Sequence, residues 1–494
     1  MNKLSIRELN PTWIAILPVT ALVGLLAVRE QLGIHADPLR VIVLFLFGLF
    51  ALALVTKYPA AFLAPVLFLP RLKEVPILTG MGPAENWTAL QILVGLLGIA
   101  ILFRWFHLHG KDSSKENPAW SGAGKGKPMA NALNSIPSGQ AFIAFCLFVA
   151  VVFVSDLYTV SPNYGAMKLT GFLTLGCPLF LAPFVLFTGD RDIRDFTLGT
   201  VLFGMAVALS SLGFSATGAM GADDNPTHIG KGQAIGLAIV LLLYLPCKDR
   251  RLRALILLVC IPWLALGLAS AETRGPLFSL LLVIVLGFFV RSMRWPMISR
   301  RQMFLVVLAV IGAVLVLSTF WFYGAEASKF RYKSAEILAL INGSGEARGT
   351  AVQRLGYYQA ALSAWLQHPW FGWGLGGWSM VYWQTDYRLY PHNIVLELLV
   401  EQGLAGAFAF LFLLISVVRR LRAVMLEGTH FPFLLPGLAY LVFIAMFSGD
   451  LDDSRFIWFW CGLILAGCEL VQRSKQSSSA HDRVSMRTSL VGAD

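Results

Sequence analysis

Long apolar runs separated by short polar loops make up most of this sequence. A membrane-spanning helix needs about 17–25 residues. Runs that approach or reach this length lie near 12–29, 38–56, 88–105, 140–155, 169–188, 196–214, 233–247, 254–271, 276–290, 303–323, 400–418, 431–447 and 456–472. A shorter run, 58–72, either crosses as a short helix or re-enters on the same side. The pattern predicts an all-α, polytopic bundle of about 12–14 transmembrane helices.

Composition supports a lipid environment. The chain is 57% hydrophobic and only 14% charged, whereas a soluble domain carries about 25% charged residues. The net charge of +11 does not require nucleic acid as a partner, because Lys and Arg collect in the cytoplasmic loops of membrane proteins. We expect no nucleic-acid partner.

The basic residues also set the predicted orientation. Clusters around Arg191, Lys248, Arg291 and Arg419 occupy every second short loop. This alternation predicts that those loops are cytoplasmic, with both termini inside if the run 58–72 crosses. The long loop 324–391 then faces the outside, and it is too rich in Trp, Tyr and Gly to be disordered. A long ordered loop is usually functional.

We divide the chain into six regions on this basis. They are N-terminal transmembrane helices (1–106), a flexible cytoplasmic linker (107–138), a transmembrane core (139–323), the long partly helical extracytoplasmic loop (324–391), C-terminal transmembrane helices (392–472) and a cytoplasmic tail (473–494). Within the long loop, a helical stretch is predicted from Arg354 to Trp365, ended by His368 and Pro369.

Cations at the outer ends of the helices are the first candidates for chemistry. Arg274 lies in a tight turn between two apolar helices, where it binds an anion, pairs with Glu272 or extends to the lipid headgroups. His392, at the mouth of a helix, is either a general base or an interfacial hydrogen-bonding residue. Asp450, Asp452 and Asp453 either hold a divalent metal or pair with nearby cations, and we favour pairing. Guanidinium groups at this depth would meet a lipid phosphate or diphosphate.

Three stretches together resemble the O-antigen ligase and polymerase superfamily. They are Glu272-Thr-Arg274-Gly-Pro, then Arg354 followed by His368-Pro-Trp-Phe-Gly-Trp-Gly-Leu-Gly376, then His392-Asn393 followed by Glu397 and Glu401-Gln-Gly403-Leu-Ala-Gly406. The resemblance covers about residues 140–472. It implies an inverting, metal-independent glycosyltransferase at the periplasmic face of the bacterial cytoplasmic (inner) membrane, without a cofactor. The donor would be a glycan on an undecaprenyl diphosphate carrier.

The resemblance also implies roles for individual residues. Arg274 and Arg354 would bind the diphosphate, and His392 would help to activate the acceptor hydroxyl. The expected diphosphate- or substrate-binding residues are Lys231, Arg388, Trp378, Tyr357, Asn393 and Glu397. The position of Lys231 often holds arginine in the family, so its phosphate role is less secure.

The acceptor stays open at this stage. A ligase would transfer the glycan to a lipid A–core sugar, which we favour slightly, and a polymerase would transfer it to another carrier-linked repeat unit. A polymerase would need a second lipid-diphosphate site, distant from Arg274. A polysaccharide or lipid-carrier transporter is the alternative from another class, and it would show broken or charged helices near the bilayer midplane. A non-catalytic membrane scaffold is the third.

Overall fold

A computed structural model describes residues 60, 63, 67, 139–215, 225–244, 250–270, 274–289, 350–425 and 431–491. Every regular element in these ranges is a helix, which confirms the predicted all-α class. In chain order the helices are α1 Gln140–Leu157, α2 Pro162–Leu186, α3 Asp190–Ser215, α4 Asn225–Tyr244, α5 Arg250–Ser270, α6 Arg274–Phe289, α7 Thr350–Gln367, α8 Gly377–Trp383, α9 Ile394–Met425, α10 Leu434–Ala445 and α11 Arg455–Val491.

Several of these helices are long and apolar enough to cross a membrane. Within the described ranges they are Gln140–Leu157, Pro162–Leu186, Ile394–Val424 and Arg455–Arg473. Shorter apolar stretches occupy α4, α5, α6 and α10. The chain is therefore a multi-pass membrane protein. The predicted helices between 1 and 106 (apart from Ala60, Leu63 and Leu67, which are helical and buried), the linker 107–138 and the run 303–323 lie outside the described residues.

The long helices form one packed group. Helix α9 packs along α1 and against α11, and α11 packs against α2. Aromatic rings fill the centre, where the Phe148 ring lies 5.0 Å from Trp458 and 5.9 Å from both Phe172 and Phe410. These contacts combine one ring from each of the four helices, so they fix the helices relative to one another. Helices α3 to α6 and α10 form a second group, joined to the first where α10 meets α11.

Helix α9 is broken at Gly403, whose backbone has φ 65° and ψ −157°. The break leaves carbonyls before it and amides after it without helical partners. The segment that follows α7 supplies them: Trp373 N and Gly374 N donate to Val400 O and Glu401 O, at 2.8 and 2.9 Å. Leu404 N and Ala405 N donate in turn to Pro369 O and Trp370 O. Broken helices survive in a membrane only when their backbone groups are satisfied in this way.

Glycine is required along this segment because the backbones approach closely. Gly372, Gly374 and Gly376 all have positive φ. A Cβ on Gly372 would lie 2.5 Å from Val400 O, and one on Gly374 would lie 2.2 Å from the Cα of Thr159. The glycine–aromatic segment, residues 370–378, therefore bridges the break in α9 through backbone hydrogen bonds. It also packs against Thr159, which follows the end of α1.

Candidate functional site

Two candidate arginine positions converge on Phe447, in the loop 446–454 between α10 and α11. The Arg354 guanidinium donates a hydrogen bond to Phe447 O at 3.1 Å. The Phe447 ring lies 6.3 Å from the Phe278 ring, and a Cβ on Gly275 would lie 3.2 Å from the Phe447 Cβ. The first turn of α6, which begins at Arg274, is thus brought to the residue that binds Arg354. The side chain of Arg274 lies outside the described atoms.

His392 lies close to the first turns of α7, which carry Arg354 and Tyr357. Its φ of 59° places a non-glycine residue in the left-handed region, a conformation that is enriched at functional sites. Its ring lies between Tyr390, at 4.6 Å, and Tyr357, at 6.3 Å. Nδ1 is buried, with no hydrogen-bond partner in the described part of the chain. Burial, and then the positive charge of Arg354, lower the pKa of His392 to about 4. The imidazole is therefore neutral at pH 7.

Asn393 fixes the start of α9 immediately after this histidine. Its side-chain oxygen accepts hydrogen bonds from Val395 N at 3.0 Å and from Leu396 N at 3.2 Å. This is the usual arrangement of a helix N-cap. The predicted site residue Asn393 therefore positions His392 by anchoring the backbone on its C-terminal side.

Arg388 forms ion pairs with the loop 446–454. Its Nε lies 3.1 Å from Asp450 Oδ2, and a terminal nitrogen lies 3.2 Å from Asp453 Oδ2. The charge of Asp450 raises the pKa of Arg388. Asp450 also accepts a hydrogen bond from Tyr164 OH at 3.0 Å. Diphosphate binding by Arg388 would thus have to compete with two carboxylates, and these aspartates pair with a cation, as we favoured from the sequence.

Glu397 faces the interior of the bundle. Lys168 of α2 forms salt bridges with Glu397 and with Glu401, at 2.7 Å from Glu401 Oε1. All three side chains are fully buried. Glu397 Oε1 also accepts a hydrogen bond from Leu451 N at 3.1 Å. The structure therefore places the predicted substrate-binding Glu397 beneath the loop 446–454, where it holds that loop against α2 and α9.

Aromatic residues of α7 and α8 form a small second core beside His392. Trp378 is 1% exposed and stacks on Tyr382 at 4.8 Å, with Tyr357 edge-on at 6.5 Å. Gln353 donates to the Tyr357 hydroxyl at 2.6 Å. Of the two predicted aromatic site residues, Tyr357 thus faces His392, while Trp378 supports Tyr357 from within the core.

Lys231 lies further along the bundle. It is buried in α4, which packs against α6 and α10. The adjacent Gly232 O accepts a hydrogen bond from Tyr440 OH at 3.2 Å. Tyr440 precedes Phe447 by about two helical turns. Helix α10 therefore links the part of α4 that carries Lys231 to Phe447, which contacts Arg354 and the start of α6.

The buried ionic cluster of Lys168, Glu397 and Glu401 was not predicted, although its members carry a signal in the sequence. Glu397 and Glu401 are one turn apart on an otherwise apolar helix, and buried carboxylates need a cationic partner. Lys168 is a single cation in an apolar stretch. The sequence contains both halves of this pairing, but their separation along the chain hides it.

The described residues contain no group of three or more His, Cys, Asp or Glu side chains arranged to hold a metal ion. Charge at the site is instead distributed over Arg354, Arg388, Asp450 and Asp453, with a neutral His392 among them. Such a site can bind an anion through guanidinium groups. It can also accept a proton at the imidazole.

Comparison with known proteins identifies one family. Residues 259–411 match the family described as O-antigen ligase, which confirms the resemblance seen in the sequence. The matched range contains Arg274, Arg354 and His392, while Lys231 precedes it. No curated protein matches the chain significantly.

Proposed function

We propose, on the premise that residues 259–411 match the O-antigen ligase family, that this protein transfers a glycan from an undecaprenyl diphosphate carrier to a sugar hydroxyl. The observation that carries the proposal is the position of His392 at the start of α9, where its ring faces Tyr357 of α7 at 6.3 Å and its pKa is lowered by burial and by the charge of Arg354. A neutral imidazole can take a proton, and a neighbouring guanidinium can hold the diphosphate from which the glycan leaves.

The chemistry is a single displacement. The acceptor oxygen forms a bond to the anomeric carbon, the bond from that carbon to the diphosphate oxygen breaks, and His392 takes the hydroxyl proton. Arg354 and Arg274 stabilise the negative charge that develops on the departing undecaprenyl diphosphate. We propose that the transfer inverts the anomeric carbon and requires no metal, because guanidinium groups compensate the charge. Full activity in the presence of EDTA is the expected result.

We propose the ligase reaction, with a lipid A–core sugar as acceptor, at the periplasmic face of the inner membrane. The alternative is a polymerase that joins carrier-linked repeat units. Purified protein in proteoliposomes, given a carrier-linked glycan and a lipid A–core acceptor, separates the two. A ligase yields one glycan per acceptor, whereas a polymerase yields a ladder of carrier-linked products without the acceptor.

The same assay tests the site. Arg354→Ala, His392→Ala and Arg274→Ala should each lose transfer, by about 10²-fold or more for the histidine. Arg191→Ala is the matched control, since it removes an exposed cation from the start of α3. Normal transfer by correctly inserted Arg354→Ala and His392→Ala proteins would refute the site.

The break in α9 and its buried charges are the features that favour a transporter. At Gly403, however, the amides and carbonyls on both sides bond to residues 369–374, so this backbone does not offer an open ion site. Movement of a labelled carrier lipid across proteoliposomes, without any glycosidic product, would support transport in place of transfer.

A further inference from the structure

Helix α7 has three chemically different sides. One side packs into the protein through Tyr357, Ala361 and Ala364. A second side exposes Leu355, Leu362 and Leu366, which fall within an arc of roughly 40° at about 100° per residue. The third side, adjacent to these leucines, exposes polar residues at Gln359, Ser363 and Gln367. A helix between protein and water alone would need only two of these sides.

The apolar side continues beyond the helix. Trp370 and Phe371 are 66% and 67% exposed, although they belong to the segment that bridges the break in α9. From Leu355 to Phe371 the sequence contains no Lys, Arg, Asp or Glu. On α9, directly past the contact with Trp370, the exposed residues are again apolar: Phe408, Leu411 and Ile415. The exposed apolar surface of α7 therefore runs into that of a candidate membrane span.

Both ends of α7 are tied to the ends of apolar helices, one of them a candidate membrane span. Arg354 bonds to Phe447 O, two residues after the end of α10. Beyond the other end of α7, Phe371 O accepts a hydrogen bond of 2.6 Å from Tyr158 OH, directly after α1. The helix thus runs across one end of the bundle, at the level where apolar helices stop. Amphipathic helices that lie in a membrane interface have this placement and this side-chain pattern.

We propose that α7, with Trp370 and Phe371, lies in the bilayer interface with its leucine side in lipid. Tryptophan is enriched at this level of a membrane. The interfacial placement of α7 has a consequence for Arg354 in catalysis, which rests on the proposed function. Because Arg354 is on the protein-facing side of this helix, the bilayer sets its guanidinium at the depth of lipid phosphates. The long loop is thus partly a membrane-seated element that presents the lipid-linked diphosphate to His392.

Nitroxide labels on adjacent residues test the placement directly. In a background whose six cysteines are replaced, single cysteines at Leu362, Ser363, Leu366 and Gln367 are labelled in nanodiscs. Collisions with oxygen, which concentrates in lipid, and with a nickel chelate, which stays in water, are then compared. We expect Leu362 and Leu366 to favour oxygen several-fold and their neighbours to favour nickel. Equal nickel access at all four sites, or low access to both reagents at the leucines, would overturn the proposal.

Brominated lipids provide a second test that keeps the native cysteines. They quench tryptophans that touch acyl chains, so Trp370→Phe should remove part of the quenchable fluorescence. Trp378→Phe is the control, because Trp378 is 1% exposed, and its loss should leave that part unchanged. An unaltered quenchable fraction in Trp370→Phe would contradict the proposal. Neither measurement uses glycan transfer, so each result stands apart from the success or failure of the proposed function.

Discussion

The environment of His392 determines which protonation state it brings to the reaction. Burial lowers the pKa of His392 most, the charge of Arg354 lowers it further, and the charges of Asp450 and Asp453 raise it, so that the resulting pKa is about 4. When a diphosphate binds Arg354, it offsets the guanidinium charge. The pKa of His392 should therefore be higher in the donor complex than in the free enzyme.

This difference predicts the pH dependence of transfer. The acidic limb of kcat/KM reports the free enzyme and should lie near pH 4, because His392 loses its role as a base only below its pKa. The acidic limb of kcat reports the enzyme–donor complex, and it should lie at a higher pH than the acidic limb of kcat/KM. Initial rates at limiting and at saturating donor, measured from pH 3.5 to pH 8, check both. A kcat/KM limb near the ordinary histidine value of about 6.5 would contradict this account.

The pH experiment needs a control for Asp452, which can also titrate. Burial, and then the charge of Asp450, raise its pKa to about 7, so it titrates inside the measured range. In Asp452→Asn the acidic limb of kcat/KM should keep its position if His392 causes it. A limb that disappears with Asp452→Asn would assign the pH dependence to the aspartate.

Single residues show how far the sequence predicts the site. His392 became a candidate because it stands at the mouth of an apolar helix, whereas Arg354 was given its predicted role only by the family resemblance. The ion pairs of Arg388 and Glu397 could not be predicted, because their partners Asp450 and Lys168 are distant in sequence. No local pattern encodes which loop of a bundle lies over which helix.

At the scale of elements, the break in α9 is the main unpredicted feature. The hydrophobic pattern predicted an apolar helix over 400–418, and the structure has one helix from Ile394 to Met425 that is interrupted at Gly403. The periodicity of apolar residues indicates which face of a helix is buried. It does not show that the backbone of one residue, Gly403, leaves the helical conformation. The glycines at 372, 374 and 376 allow backbones to approach closely, but the sequence does not show which backbone segments they pack against.

Gly403→Ala tests the role of the break. Its φ of 65° disfavours any side chain, and a Cβ would lie 2.4 Å from the Trp370 carbonyl carbon. We expect a loss of about 1–3 kcal/mol, seen as a lower thermal midpoint in detergent. Gly356→Ala in α7 is the matched control, because nothing lies within 4 Å of its Cβ position. It should be neutral or stabilise by about 0.5–1 kcal/mol. Equal thermal midpoints for the two variants would contradict the role of Gly403 in the bridged break of α9.

The buried ionic cluster ties α2 to α9, and its energetics can be tested by removing charges in order. Lys168→Met leaves Glu397 and Glu401 buried without their cation, which should cost about 3–5 kcal/mol. Adding Glu401→Gln removes one uncompensated carboxylate, so the double variant should be more stable than Lys168→Met alone. The thermal midpoints of the two single variants and the double variant give the coupling energy. Additive losses would show that the three residues do not act as one unit.

At the scale of the whole molecule, hydrophobic runs and charge alternation predicted most of the described helices. The runs 140–155, 254–271 and 276–290 correspond closely to α1, α5 and α6. Their packing into two groups was not predictable, because lipid-facing and protein-facing sides of such helices are equally apolar. The helix α7 was predicted from its ending at His368 and Pro369, but its three-sided surface appears only once its neighbours are known.

The charges at the two ends of the bundle predict its orientation in the membrane. One end carries Arg354, His392 and the loop 446–454, and the other carries basic residues such as Arg191 and Arg419. Positively charged loops stay in the cytoplasm, so the candidate site should face outward. In that predicted orientation, a translocated, carrier-linked glycan would meet its acceptor at the proposed site.

Cysteines at the two ends test this orientation in right-side-out spheroplasts. Thr385→Cys lies in the exposed loop near His392, and Gly189→Cys lies between α2 and α3, where a Cβ meets nothing within 4 Å. A membrane-impermeant maleimide should label Thr385→Cys in intact spheroplasts and Gly189→Cys only after permeabilisation, relative to the wild-type chain. The reverse pattern would place Arg354 and His392 in the cytoplasm. Periplasmic ligation would then be impossible at this site, and a cytoplasmic glycan donor would have to be considered instead.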